Sequence, residues 1–363
     1  MHIDDSIRQG SEPREVFDFA GIKVVTIYLG DTCNFDCVYC DRGYIKNVIG
    51  SQNLLKSNYD DIVKFMKAVS EQADDLRSIS FHGGEPFLYI KRIDELLELI
   101  VPLFPDMEYY ITSNGSHVVD NEWFFEKWAG KIHVTLSYDF NFQEVNREYV
   151  DVVALSEVLY RHNCYLMYQF VVPPDGFRED TLASVISTMR KTHCNTINLI
   201  PLRHYRGKEK FKVLIDDIDL KWYMVDMMRF IQALYAYGIT INIDGNYDKI
   251  DKHYLDNHGK VILSPDGYLY PEFDYVEYKR HEFRVGKWKN GIEIYRKKDE
   301  SEYLLPGCLS CDLYFACGLK YLYKMFDETP KGNCVEFYKV IDLMVKHLSK
   351  LKQEKTFMHW IGI

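Results

Sequence analysis

Short runs of β-branched and aromatic residues alternate along much of the chain with longer stretches in which apolar positions recur every three to four residues. The first pattern suits a strand, whose side chains alternate between two faces, and the second a helix with one buried stripe. Strands are expected over 23–29, 77–81, 107–112, 132–137, 165–172 and 196–201, with helices over 59–70, 92–103, 121–128, 149–161, 180–191 and 220–237. Strands and helices in strict alternation argue for parallel strands joined by helical crossovers, an α/β fold. Six such units are too few to close an eight-unit barrel. After Gly238 the rhythm changes, and residues 260–270 read as a hairpin turning at Asp266-Gly267.

This pattern divides the 363 residues into a lead-in (1–20), a large α/β domain (21–237), a smaller C-terminal domain (238–340) and a tail (341–363). A composition of 47% hydrophobic and 15% aromatic residues is enough for a sizeable core. No run reaches the ~18 apolar residues of a membrane span, and the acidic start, Met1-His-Ile-Asp-Asp, is unlike a signal peptide, so a cytoplasmic location is expected. A net charge of -10 opposes binding to a nucleic-acid backbone. In such a setting nine cysteines suit metal sites or buried thiols better than disulfides, and seven of them fall into two clusters.

The first cluster, Cys33, Cys37 and Cys40, lies just after the first expected strand in the spacing C-x3-C-x2-C. Three thiolates this close can hold three irons of a [4Fe–4S] cluster and leave the fourth open; a three-thiolate zinc site or a disulfide is the alternative on spacing alone. His82-Gly-Gly-Glu-Pro86 follows the second strand, Thr112-Ser-Asn-Gly115 the third and Ser137-Tyr-Asp139 the fourth. Turn chemistry alone would account for any one of these segments. In α/β barrels, however, the ends of the strands are where ligands bind.

Together these motifs resemble the radical S-adenosylmethionine (SAM) enzymes, in which an aromatic residue, here Tyr39, precedes the last cysteine. The resemblance implies a partial (β/α)6 TIM-like barrel in which the open iron chelates SAM and an electron from the cluster cleaves it to a 5′-deoxyadenosyl radical. It implies further that Gly83, Gly84 and Glu85 contact the SAM amino group and that Ser113 and Asn114 hydrogen-bond the ligand. By the same likeness Ser137 and Asp139 bind the ribose, although a leucine usually stands where Tyr138 is. Arg147 is expected either to pair with the SAM carboxylate or to be solvated, and Gln169 and Leu199 lie on strands that pack the adenosine in relatives. An external one-electron donor such as flavodoxin or ferredoxin is implied as a partner. Cys164 and Cys194, near the starts of two strands, are expected to be buried structural thiols.

Cys308, Cys311, Cys317 and Cys334 form the second cluster of thiols, enough for a tetrahedral zinc or a second [4Fe–4S] cluster. Their C-x2-C-x5-C spacing after the hairpin resembles the SPASM extension of peptide-modifying radical SAM enzymes, which carries two auxiliary clusters. Glu272 and Tyr321 stand where two ligands of one of those clusters would be. The resemblance therefore implies a small, twitch-like auxiliary-cluster domain with one cluster kept, and two [4Fe–4S] clusters in all. A peptide substrate is expected, with a small molecule as the alternative. The lead-in leaves no room for a leader-binding domain, so any such domain is expected to sit on another chain or to be absent.

Overall fold

A computed structural model describes residues 19–40, 52–173, 176–201, 220–243, 259–271, 273–277, 279, 281–295 and 350. All six expected strands are present: β1 (Val24–Tyr28), β2 (Ser78–His82), β3 (Glu108–Ser113), β4 (Ile132–Ser137), β5 (Tyr165–Val172) and β6 (Thr196–Pro201). Six helices follow them as α1 (Tyr59–Ser70), α2 (Ile90–Ile100), α3 (Glu122–Lys127), α4 (Val152–Arg161), α5 (Glu179–Lys191) and α6 (Leu220–Ala236). Each strand pairs in parallel with the next, from β1 to β6. Helix α4 shows how the sequence sets an end: the Asp151 carboxylate accepts from the backbone N–H groups of Val153 and Ala154, two donors that the first turn cannot satisfy itself.

The sheet extends beyond these six units at both edges. A seventh strand, β7 (Thr240–Ile243), pairs in parallel with β6, and β8 (Lys260–Leu263) pairs in parallel with β1. The expected hairpin is formed by β8 and β9 (Tyr268–Tyr270), with Gly267 at φ +91° in the turn, and it continues antiparallel into β10 (Gly286–Lys287) and β11 (Glu293–Ile294). The strand order β11-β10-β9-β8-β1-β2-β3-β4-β5-β6-β7 leaves the sheet unclosed. One sheet therefore runs through residue 237, where the sequence rhythm changes; periodicity marks strands but does not name their neighbours.

Strand alternation gives the sheet two different faces. Val25, Ile27, Ile79, Phe81, Tyr109, Ile111, Val134, Leu136, Phe170 and Leu199 are buried in one hydrophobic core together with Ile62 and Phe65 of α1 and Ile93 and Leu97 of α2. The opposite face is polar and aromatic. Thr26, Ser80, Tyr110, His133 and Tyr165 stand in register across five strands, with the His133 ring 4.7 Å from Tyr110 and 5.4 Å from Tyr165. Burial of the imidazole holds the His133 pKa below its usual value, with Glu108 pulling the other way. No helix among the described residues is long and apolar enough to cross a membrane.

Phe81 is fully buried at the centre of the helix-packed face. Phe81→Ala is expected to cost about 3–5 kcal/mol through lost burial and the cavity left behind. Equilibrium denaturation of the purified chain measures this directly.

Candidate active site at the strand ends

The three cysteines lie on the loop leaving the C-terminal end of β1, and none is in a disulfide. Cys37 is buried, Cys33 and Cys40 are half-buried. Burial is the main cause that pushes the Cys37 thiol up to about 12; Arg147 opposes it, while Cys40, Asp139 and Cys33 add to it. No three Cys, His, Asp or Glu side chains converge on a single ion position among the described residues. A [4Fe–4S] cluster does not require such convergence, because each thiolate binds a different iron.

Backbone bonds fasten the β1 loop to the loop after β2. Gly84 N–H donates to Gly30 O and Glu85 N–H to Thr32 O, both at 2.8 Å. Gly83 and Gly30 hold φ near +150°, where a side chain is strained, and a Cβ on Gly84 would run into the Thr32 carbonyl. The glycine pair was expected to let the backbone approach a ligand; what it admits in the structure is the backbone of the cysteine loop.

Glu85 is the second fastening. It is 1% exposed and accepts from Ser113 Oγ (2.7 Å), Asn114 N–H (2.7 Å) and Phe87 N–H (3.0 Å). Burial pushes its pKa up, and these three donors act against that. Rather than facing open space, it ties the β2 loop to the end of β3. Ser113 and Asn114 are spent in the same network: Ser113 Oγ accepts from Gly115 N–H (2.9 Å), and Asn114 Nδ2 donates to Asn34 Oδ1 (2.9 Å) inside the cysteine loop. Asn34 in turn donates to Ser116 Oγ (2.9 Å). Asn34 is a residue that motif reasoning passed over; its signal was a polar amide directly after the first cysteine.

The fourth strand end is tied to the cysteine loop through Asp139. Its carboxylate is fully buried and accepts from the Tyr39 hydroxyl, at 3.0 and 2.8 Å to its two oxygens, and from Arg147 Nε at 3.2 Å. Burial pushes the Asp139 pKa up, chiefly against the pull of Arg147. Arg147 also donates to the Tyr39 hydroxyl, its guanidinium carbon lies 5.1 Å from the Tyr39 ring centre, and Val38 N–H donates to Asn146 O at 2.9 Å. Thus Arg147 is not solvated, and Asp139 bonds to Tyr39 of the cysteine loop. Tyr39, placed by its aromatic character in the motif, is the link.

Other expected residues separate by register. Ser137 is half-buried and stands in one row with Gln169, Asn198 and Asn242 on the polar face. Leu199 pairs with Phe170 and is buried in the helix-packed core, so it does not share a face with Gln169; the strand period of two decides this. Cys164 and Cys194 are buried before β5 and β6, at the far ends of those strands from the cysteine loop, with Cys194 Sγ bonded to Leu166 O at 3.1 Å. Cys308, Cys311, Cys317, Cys334, Glu272 and Tyr321 lie outside the described residues.

The Radical SAM superfamily sequence model matches residues 27–157, a span that includes Cys33, Cys37, Cys40 and every strand-end residue from Gly83 to Arg147 named above. The 7-carboxy-7-deazaguanine synthase of Methanocaldococcus jannaschii is 35% identical over 94 residues, 23% of this chain and 36% of that protein. The chain thus spans about a third of the length of this curated relative. Among solved structures, native anSMEcpe with bound AdoMet and Cp18Cys peptide aligns with a TM-score of 0.62 at 16% identity, over 91% of this chain and 99% of that one. Streptococcus suis SuiB bound to precursor peptide SuiA aligns with a TM-score of 0.57 at 14% identity, over 85% and 74%. These two likenesses are likenesses of fold. Residues 27–157 thus resemble the Radical SAM superfamily in sequence, and the unclosed parallel sheet has the fold of these solved structures.

Proposed function

We propose that this chain is a radical SAM enzyme acting on a peptide. Cys33, Cys37 and Cys40 would hold a [4Fe–4S] cluster, and SAM would bind beside it at the ends of β1–β4. The observation that carries the reading is that the loops after β2, β3 and β4 are all hydrogen-bonded to the three-cysteine loop or to each other through Gly84, Glu85, Asn114 and Asp139. A carrier of electrons needs a bound cluster but has no need of three further strand-end loops gathered beside it.

When bound, cluster and SAM supply a 5′-deoxyadenosyl radical that abstracts hydrogen from the substrate. The chain's part is to bind, orient and exclude water. Glu85 keeps the β2 and β3 loops together without itself being exposed. The half-buried Ser137, at the C-terminal end of β4, is the residue assigned to the SAM ribose. Gln169, beside it on β5, extends the same polar row.

The fold likeness to anSMEcpe and SuiB, both solved with peptides, covers most of this chain, whereas the likeness to the deazaguanine synthase is confined to 94 residues. That short match favours the second reading, a small-molecule substrate. Cys308, Cys311, Cys317 and Cys334 are assigned to an auxiliary [4Fe–4S] cluster, and a flavodoxin or ferredoxin to electron supply.

Two experiments test the assignment. Replacing Cys33, Cys37 and Cys40 together by alanine in anaerobically reconstituted protein is expected to remove about half of the iron and all 5′-deoxyadenosine formation, since one cluster of two is lost. Unchanged iron in that variant contradicts the ligand set. Ser137→Ala is expected to weaken SAM binding about fivefold, the loss of a buried hydrogen bond of roughly 1 kcal/mol, with iron content intact. Titration calorimetry with SAM reads this, and an unchanged affinity removes Ser137 from the site.

A further inference from the structure

Resting on the assignment of Cys33, Cys37 and Cys40 as cluster ligands, we propose that Arg147 and Asp139 are a buried pair of opposite charges that positions the ligand loop and tunes the reduction potential of its cluster, Arg147 raising it and Asp139 lowering it.

The geometry places both charges directly behind the loop. The Asp139 side chain is 0% exposed and that of Arg147 8%, with Nε and Oδ2 3.2 Å apart. Both groups bond to the hydroxyl of Tyr39, whose neighbour in the chain is Cys40. The guanidinium carbon is 5.1 Å from the Tyr39 ring centre. The adjacent carbonyl, Asn146 O, accepts from Val38 N–H, the amide that follows Cys37. Charges shielded from water in this way act with little screening.

Reducing a cluster by one electron adds one negative charge to it. A fixed positive charge nearby stabilises the reduced form and raises the potential; a fixed negative charge does the opposite. In the intact pair the two fields largely oppose each other, so the effect of each half emerges when the other is neutralised. A buried ion pair is expensive to desolvate, and an apolar pair of the same volume would pack as well. A latch that served packing alone would not need the charges.

Opposite signs distinguish tuning from a purely structural latch, because loosening the loop shifts the potential the same way whichever partner is removed. The measurement is the midpoint potential of reconstituted full-length protein titrated with dithionite and followed by the electron paramagnetic resonance signal that disappears when Cys33, Cys37 and Cys40 are replaced. Arg147→Met is expected to lower the potential and Asp139→Asn to raise it, with Arg147→Lys closer to the parent protein than Arg147→Met. Shifts of the same sign, or an unmoved potential in Asp139→Asn, overturn the proposal. Should Arg147→Met take up no iron, Asp139→Asn decides alone: an upward shift supports the proposal, any other result overturns it. Failure of both folded variants to take up iron overturns it in favour of a structural latch. Failure of the parent protein to take up iron would instead reject the ligand assignment itself.

Discussion

A carboxylate buried out of reach of water must be satisfied by the protein, and two such groups organise the end of this molecule that carries the cysteine loop. Glu85 and Asp139 each gather donors from segments far apart in the chain, Glu85 from the end of β3 and Asp139 from the cysteine loop and from Arg147. An unpaired buried charge costs several kcal/mol, so the loops that supply the donors cannot drift apart without a large penalty. Rigidity at this end of the sheet comes from that constraint. The apolar core lies on the other face, against the helices, and reaches these loops through Phe87 and Phe140, with Phe35 of the cysteine loop packed against it.

The two fastenings divide the work. Gly83, Gly84 and Glu85 bring the β2 loop against Gly30–Thr32 by backbone contact so close that only glycine fits, and Asn34 and Asn114 extend the contact to β3. Tyr39, Asp139 and Arg147 close the opposite side of the same loop. The cysteines are therefore held from both flanks, and burial pushes the Cys37 thiol up. A cluster held there would take its ligands as thiolates, coupling metal uptake to proton release.

The polar face of the sheet gives the arrangement a direction. Ser137, Gln169, Asn198 and Asn242 form one level close to the strand ends, and Tyr110, His133 and Tyr165 another nearer their beginnings. A face of this kind offers a ligand neutral hydrogen-bonding groups beside the cysteine loop.

Much of the fold was legible in the chain itself. The two periods of apolar residues located β1–β6 and α1–α6 to within a few residues, because burial of one face is a local pattern, and the cysteine, Gly-Gly-Glu and Ser-x-Asp segments stood out as those that follow strands β1, β2 and β4. What each polar side chain does was not legible. That Glu85 and Asp139 fasten loops together, that Leu199 on β6 faces the helices while Gln169 on β5 lies on the polar face, and that β8 of the expected hairpin extends the sheet beside β1 came only from the structure. Each of these depends on which distant segment lies alongside, through strand register, the partner of an edge strand or the donor that meets a buried carboxylate. A linear pattern records the energy of burying a residue, but the pairing of charges and hydrogen bonds is fixed only when the chain is brought together in three dimensions.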